Sequence, residues 1–156
     1  MAEFVYNRTL ADVNRLKWLH SKGYENLTGS QKIELRSNNH LGAYNKSDLN
    51  RVESAVAIIA PALGLSLTTV ISWHSLSLAT PSEMNRYLGN VVAVRNAALA
   101  IDDTLVLPEL PVSMSKLTYE GANNIEKTLS IIYDRFCSTT QSMVLGETKL
   151  GEAVLG

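Results

Sequence analysis

The stretch Gly42–Leu63, GAYNKSDLNRVESAVAIIAPAL, joins a turn, a helix start and an apolar stripe, and it sets the pattern for the chain. A helix is predicted to begin at Asn45 or Ser47, with Asp48 in the first turn, where the helix dipole favours negative charge. Apolar residues then recur at alternating steps of three and four: Leu49, Val52, Val56, Ile59 and Leu63. Such a stripe seals one face of a helix against its neighbours.

Polar residues and breakers complete the pattern of this central helix. Arg51, Glu53 and Ser54 are predicted to lie off the apolar stripe. Pro61 is compatible with a last turn that kinks or ends, and Gly64 is expected to cap the helix because glycine readily adopts a left-handed conformation. The sequence therefore predicts one long amphipathic helix between two turns.

Two further long helices carry stripes of the same kind. One begins at Thr80-Pro-Ser-Glu83, which combines an N-cap threonine, a proline at the first helical position and a capping-box glutamate, and it runs to about Ala100. The other is capped by Thr118. Their predicted buried faces are Met84, Tyr87, Leu88, Val91, Val94 and Ala98, and Ala122, Ile125, Leu129, Ile132 and Phe136. The three stripes can share one core, which predicts bundle-like packing.

Two capping boxes mark helix starts nearer the N-terminus. Thr9 and Asp12 open a helix that Gly23 is expected to end. Thr28-Gly-Ser-Gln31 opens a short helix of about two turns near Gly29–Arg36. Both predictions rest on reciprocal bonds between side chains and the free backbone groups of a first helical turn.

Three segments between these helices lack a helical period. Met1–Asn7 is predicted to be an extended arm that packs or pairs locally. Leu65–Ala79 is rich in β-branched and hydroxyl residues and predicts extended structure with one or two short strands. Thr104–Leu117 holds two prolines and predicts an extended connector.

The C-terminal part, residues 137–156, repeats a Leu-Gly pair with a period of five at Leu145, Leu150 and Leu155. Five matches neither a helix face nor a strand face, and the glycines disfavour a helix. Two alternatives stay open: an extended or hairpin segment ordered by a partner or by other copies, and a disordered tail. The predicted organisation is a helical structural domain at residues 1–136 followed by this tail.

The expected fold class is thus mostly all-α. It is a small bundle of three longer helices plus one short helix, with extended connectors and a non-helical C-terminal tail. The 156 residues suffice for one domain with a buried core, without disulfides or metals.

Composition excludes several function classes. The net charge of −1 gives no global attraction to nucleic acid or to an anionic membrane. No apolar run is long enough for membrane insertion, and the first residues lack the apolar core of a signal peptide. The single cysteine, Cys137, allows no intrachain disulfide, which fits a reducing compartment or a particle released by lysis. The chain is therefore expected to be soluble, without nucleic-acid or membrane partners.

No catalytic, cofactor-binding or metal-binding pattern stands out. His20, His40 and His74 lie far apart, without a metal-ligand motif beside them. Cys137 is interpreted as a small apolar residue at a helix end. Asp102 and its neighbour Asp103 would point about 100° apart on a helix, which makes a poor acid–base pair. The chain is accordingly predicted not to be an enzyme, and no cofactor is expected.

Partner contacts are expected to fall on the arm, the segment around Trp73 and the tail. Large amphipathic rings often dominate interfaces, although core packing is the more common fate of an aromatic ring. Trp73 also suits the role of a packing anchor. The predicted interface residues are Phe4, Tyr6, Trp73, Met143, Leu145, Leu150 and Leu155.

Three sequence blocks, in the same order, resemble a module from the tail regions of Firmicutes phages and prophages. The first is Gly42–Asn45 followed by Asp48–Glu53; the second is Thr80–Met84 with Arg86–Leu88 and Val94–Arg95; the third is Leu110–Pro111 with Leu117–Glu120 and Ala122–Glu126. The resemblance covers roughly Arg8 to Phe136. It departs from that module in the plainer segment Leu65–Ala79, where the module would have a more polar stretch before Trp73.

The resemblance implies a non-enzymatic virion structural protein of a phage tail or baseplate, or of a tail-like particle. Such a protein is made in the host cytoplasm and links or decorates the distal tail, with a role in anchoring receptor-binding fibres. Its implied partners are other tail or baseplate proteins and other copies of itself in trimeric or hexameric symmetry. The alternatives are a fibre or decoration protein of the head or neck, and a host-directed adaptor or regulatory protein.

Overall fold

The computed structural model describes residues 1–37, 39–74 and 79–138, which contain α-helices but no β-strand. The helices are α1 (Leu10–Lys22), α2 (Gly29–Arg36), α3 (Lys46–Ala62), α4 (Pro81–Ile101) and α5 (Tyr119–Phe136). Short 3-10 turns lie at Tyr24–Asn26 and Met114–Lys116. The prediction of a mostly all-α bundle is confirmed, while the predictions for residues 139–156 lie outside the described residues.

The three long helices α3, α4 and α5 pack against one another around one core. Its buried residues are Val52, Ala55, Val56, Ile59, Ala60, Leu63, Tyr87, Leu88, Val91, Val94, Ala98, Ile125, Leu129, Ile132, Tyr133 and Cys137. The predicted stripes therefore share one core. Full burial of each larger aliphatic side chain contributes about 1.5–3 kcal/mol relative to exposure.

Side-chain caps fix where the helices start. Thr9 accepts from the backbone N–H of Asp12 at 3.3 Å, while Asp12 accepts from that of Thr9 at 2.7 Å. The same reciprocal pair forms between Thr28 and Gln31 before α2. Another forms at Thr80 before α4, and all three predicted boxes are confirmed. These bonds satisfy amide groups that a helix leaves free in its first turn.

Glycines end α1 and follow the end of α3. Gly23 has φ of 74° and Gly64 has φ of 73°, a left-handed conformation that strains residues with a Cβ. After α3, the amide of Leu65 bonds back to the carbonyl of Ala60 at 2.8 Å and closes the last turn. Pro61 lies within that last turn, and α3 continues to Ala62.

The hairpin formed by α1 and α2 packs mainly on itself. Leu19 and Leu27 are buried in it, and Arg15 crosses from α1 to α2 by a two-point contact with Glu34 at 2.8 and 2.9 Å. Its base meets the bundle at Gly42, where an added Cβ would collide with the carbonyl of Asp12 in α1. A side chain at position 42 would therefore push the hairpin away from the bundle.

The connector after α3 differs from the expected short strands. Residues 65–74 form neither helix nor strand, and residues 75–78 of the predicted segment lie outside the described residues. Their backbone is held by side chains instead: Asn50 accepts from the Trp73 N–H at 2.6 Å and donates to its carbonyl at 3.3 Å. Arg86 and Asn90 both donate to the carbonyl of Thr68, at 3.0 and 2.8 Å. Amide and guanidinium groups thus supply the bonds that a neighbouring strand would otherwise provide.

The connector between α4 and α5 is predicted to be extended, but it contains the 3-10 turn at Met114–Lys116. Side chains of α5 fasten it along its length. At its start Asp102 accepts from Arg135 of α5 at 2.8 Å. Further along, Asn124 of α5 donates to the carbonyl of Glu109 at 2.9 Å. Leucines of the connector pack against the core from outside; they are Leu105, Leu107, Leu110 and Leu117.

Candidate functional site

The N-terminal arm is bound to the bundle through its main chain. The amide of Val5 donates to Glu126 at 2.6 Å, and the side chain of Arg8 donates to the carbonyl of Val5 at 2.7 Å. Asn123 accepts from the Arg8 N–H at 3.1 Å and donates to the Arg8 carbonyl at 2.8 Å. Residues of α5 therefore hold the arm at two points, immediately before α1 begins.

Four charged groups meet beneath the arm. Arg8 Nη2 lies 2.7 Å from Asp48 Oδ1 and 3.2 Å from Glu126 Oε1. Arg51 reaches the same two carboxylates, with Nη2 2.5 Å from Asp48 and 2.6 Å from Glu126. Arg51 Nε adds a second contact to Glu126 at 2.7 Å. Two guanidinium groups thus bridge two carboxylates from three parts of the chain, and the formal charges balance.

Burial determines what this cluster can contribute. The Glu126 side chain is 0% exposed and that of Arg8 is 2% exposed. The attraction within a buried ion pair barely offsets desolvation, whereas removal of one partner costs about 3–5 kcal/mol. The cluster therefore adds little net stability but disfavours any position of the arm that leaves Glu126 without Arg8.

A tyrosine pair continues the polar network into the core. The hydroxyls of Tyr44 and Tyr87 lie 2.5 Å apart, with their rings edge-on at a centroid separation of 6.5 Å. The guanidinium of Arg8 stands 5.5 Å from the centre of the Tyr44 ring. Burial raises the pKa of Tyr87 well above its ordinary value and likewise raises the pKa of Tyr44. Both hydroxyls consequently stay protonated, and one donates to the other.

A second buried carboxylate, Glu53, binds a single arginine. Arg86 of α4 contacts Glu53 at 2.6 and 3.2 Å and also donates to the Thr68 carbonyl. Glu53 is buried, whereas the Arg86 side chain remains 25% exposed. This pair joins α3, α4 and the connector that follows α3.

The placement of Glu53 off the apolar stripe is wrong, because the stripe is wider than predicted. Glu53 lies four residues after Leu49 and three before Val56, so it faces the bundle. Glu126 stands in the same relation to Ala122 and Leu129. A carboxylate at that spacing within a stripe is a sequence signal for a buried ion pair. Nothing comparable marks Arg8, whose partners are 40 and 118 positions away.

The predicted interface residues fall into different environments. Phe4 packs partly buried against the core, with its ring edge-on to Tyr133 at 5.9 Å. Tyr6 is 46% exposed on the arm. Trp73 is 5% exposed, which agrees with the packing alternative and leaves little of its ring for a partner. Met143, Leu145, Leu150 and Leu155 lie outside the described residues.

Two of the half-open clefts in the described chain are lined by residues near its N-terminus. One, of about 560 Å³, runs between the arm and α3 and is lined by Asn50, Arg51 and Ser54 among others. The other, of about 360 Å³, lies between Leu10 at the start of α1 and the start of α5. Arg51 in the first cleft is already bonded to two carboxylates, and the rest of that lining mixes apolar and polar side chains.

His40 and Cys137 lie in different environments. His40 accepts from the Gly42 N–H at 3.0 Å and lies 3.5 Å from Glu34. Cys137 is buried at the end of α5, as predicted. In the described part of the chain, no group of three or more His, Cys, Asp or Glu side chains could hold a metal ion. Nor is any helix there both long and apolar enough to cross a membrane.

Comparisons with known proteins give no relative: no protein-family model, curated protein or solved structure matches the chain.

Proposed function

We propose that this chain is a non-enzymatic structural protein of a phage tail or baseplate, or of a tail-like particle. It acts by assembly: it links or decorates the distal tail, contacts other tail proteins and copies of itself, and anchors receptor-binding fibres. The three sequence blocks that resemble the phage tail module are the basis of this proposal.

One structural observation supports reading those blocks as a single module. Polar residues of the first block bond to residues of the other two. Tyr44 contacts Tyr87 and Glu53 contacts Arg86 in the second block, whereas Arg51 contacts Glu126 in the third. Residues that carry the resemblance therefore contact one another across the bundle. Such contacts are expected if the three blocks are the conserved pattern of one fold.

The environment of the carboxylates favours a structural role over a catalytic one. An acid or base in catalysis must reach the substrate proton within hydrogen-bonding distance. Glu126 is enclosed and bonded by guanidinium groups and by the Val5 amide. Glu53 is likewise buried beneath Arg86. Both groups are engaged in joining segments of the chain.

Mass spectrometry of purified particles from the source phage or prophage tests the proposal. The protein is expected in intact particles after density-gradient purification, at a fixed ratio to the major tail protein. Tail-less heads from the same lysate are the matched control. Recovery from the soluble fraction alone, with none in any particle, would end the proposal, and recovery from the heads would favour a head or neck position.

A second experiment addresses the C-terminal tail, where partner contacts are predicted. A chain that lacks residues 145–156 should fold but enter particles less efficiently than the full chain. Replacement of Leu145, Leu150 and Leu155 by serine separates the leucines from chain length. Unchanged incorporation of both variants would assign assembly to surfaces of residues 1–138.

A further inference from the structure

The N-terminal arm lies along α5 with a nearly extended backbone. Phe4 packs on Tyr133, whereas the main chain of Arg8 bonds to Asn123, which lies earlier in α5. The stretch of helix between residues 123 and 133 rises by about 15 Å. Four residues of the arm cover such a distance when each spans close to its maximum of about 3.6 Å. The arm and α5 therefore run in opposite directions.

One edge of the arm carries free main-chain groups. The N–H of Val5 donates to Glu126 of α5, and the carbonyl of Val5 accepts from Arg8. In an extended backbone the main-chain groups of successive residues point to opposite edges, so those of Phe4 point away from Glu126. Among the described residues, none bonds to the N–H or the carbonyl of Phe4. The arm thus presents an unpaired edge to which a further strand can be added.

The cleft of about 560 Å³ lies between the arm and α3. Its lining runs along α3 from Ser47 to Ile58, a rise of about 17 Å. At about 3.3 Å per residue, this length holds about five residues of extended chain. Met1, Ala55 and Ile58 give part of the lining an apolar character, and Ile58 is 47% exposed. The cleft therefore has the length and the chemistry to take a short extended segment with apolar side chains.

The described chain ends beside this cleft. A smaller cleft of about 220 Å³ is lined by Ser138 and Tyr133 on one side and by the first residues of the arm on the other. Met1 and Ala2 line both clefts. Ser138 is the last described residue, and residues 139–156 follow it in the sequence. The C-terminal tail thus leaves α5 next to the start of the arm.

The sequence of the tail suits the larger cleft. Four polar residues, Thr139–Ser142, come first, and Met143-Val144-Leu145 follow. Leu145 can lie up to about 23 Å from Ser138 in an extended chain. Side chains alternate along such a chain, so Met143 and Leu145 share one face. Because the tail is attached beside the cleft, its effective concentration there is in the millimolar range, which favours it over a separate chain.

We infer that residues 143–145 bind in the cleft between the arm and α3 of their own chain. The segment adds to the free edge of the arm at Phe4 and places Met143 and Leu145 against Ile58. It enters from the end where the arm begins, so the two segments run parallel. Leu150 and Leu155 lie beyond the cleft and stay available to a partner. The inference does not rest on the proposed function.

Hydrogen exchange at the amide of Phe4 tests this contact in the purified full chain. In M143S/L145S this amide should exchange at least about tenfold faster than in the parent chain, because the added strand is lost. The Val5 amide, bonded to Glu126, should exchange at the same rate in both chains. L150S/L155S removes two apolar side chains from the same tail and should leave the Phe4 rate unchanged. Equal Phe4 rates in the parent and M143S/L145S, or equal acceleration in both variants, overturn the inference.

A substitution on the cleft side tests the same contact from the other partner. Ile58→Glu should accelerate exchange at Phe4 as M143S/L145S does, since a carboxylate replaces the apolar surface that the tail covers. Val92→Glu is the matched control, because Val92 is 38% exposed on α4 and does not line the cleft. Urea denaturation checks that both variants are folded, and Ile58→Ser replaces Ile58→Glu if the latter is not. An unchanged Phe4 rate in a folded Ile58 variant contradicts the proposed site.

A concentration series identifies which chain fills the cleft. If it is the chain's own tail, the Phe4 exchange rate should not depend on protein concentration, and sedimentation velocity should show no linked dimer. If protection of Phe4 grows together with a dimer, the tail of a second copy fills the cleft and the inference is wrong. A chain found in particles with an unprotected Phe4 amide ends the inference but not the proposed function. A protected amide in a chain that is absent from particles does the reverse.

Discussion

Glu126 and Glu53 occupy equivalent positions in the stripes of α5 and α3, yet their surroundings differ. Glu126 is bonded by Arg8, by Arg51 and by the main chain of the arm, and it has no solvent access. Glu53 is bonded by Arg86, part of which remains in water. The same spacing in a stripe thus produces one enclosed cluster and one cluster open on one side.

The difference shows how a helical bundle can position irregular segments. Glu126 fixes the arm directly, since it accepts from the Val5 amide. Glu53 fixes the connector only through Arg86, which in turn bonds to the Thr68 carbonyl. We therefore expect the arm to depend strongly on its carboxylate, and the connector to depend less on its own.

Glu126→Gln should have the largest effect, because it leaves two guanidinium groups beside a neutral amide. The expected loss is about 3–5 kcal/mol in the free energy of unfolding, measured by urea denaturation. Lys127→Gln, an exposed neighbour on α5, is the control and should change stability by less than about 0.5 kcal/mol. A loss below about 1 kcal/mol for Glu126→Gln would contradict the assigned cluster.

Arg8→Ala should rank second, since Arg51 still neutralises part of the cluster. We expect a loss of about 2–3 kcal/mol, together with faster hydrogen exchange at the Val5 amide. Exchange at Leu129, in the core part of α5, should rise less when measured under the same conditions. Equal acceleration at both amides would mean that the variant unfolds globally instead of releasing the arm.

Arg86→Ala should have a smaller effect, because water reaches one side of its pair with Glu53. A loss of about 1–2 kcal/mol is expected by urea denaturation. The combination with Glu53→Gln completes a double-mutant cycle, in which the two losses should be far from additive. Additive losses would show that the two side chains do not interact in solution.

The exposed pair of Arg15 and Glu34 should have the smallest effect. Its bond to Arg15 lowers the pKa of Glu34 below the ordinary value of 4.5. The pair therefore stabilises the fold fully at pH values above the pKa that Glu34 has in the unfolded chain. This stabilisation is lost as the pH falls through the lowered pKa of Glu34 in the folded chain. Glu34→Gln should match the parent chain in strong acid and fall slightly behind it near neutral pH, as measured by thermal unfolding. If Glu34→Gln were less stable than the parent chain by more in acid than near neutral pH, the predicted pH dependence would be wrong.

Local chemistry made most of the fold predictable from the sequence. The capping box of Thr80 and Glu83 predicts the start of α4 from four residues. The spacing of the apolar residues in α3 predicts most of its buried face. The arm's binding site was not predictable in the same way. Arg8 has no distinguishing neighbours in sequence, and its role arises only when α3 and α5 bring Asp48 and Glu126 together.

Residues 65–74 do not form the expected strands, for a related reason. β-branched residues favour extended backbone, but a strand also needs a partner edge. In residues 65–74 that role falls to Asn50, Arg86 and Asn90, three side chains on two helices. Their effect depends on how α3 and α4 pack, which the local sequence does not encode.

The paired bonds between Asn123 and Arg8 also have a mechanical consequence. Because the amide of Asn123 engages both the N–H and the carbonyl of Arg8, a pull on the arm loads two bonds to α5 at that residue. The next residue, Thr9, caps α1. Tension applied at the N-terminus would thus pass into α5 before it reached the hairpin. The arm could bear load as a tether while the hairpin kept its orientation.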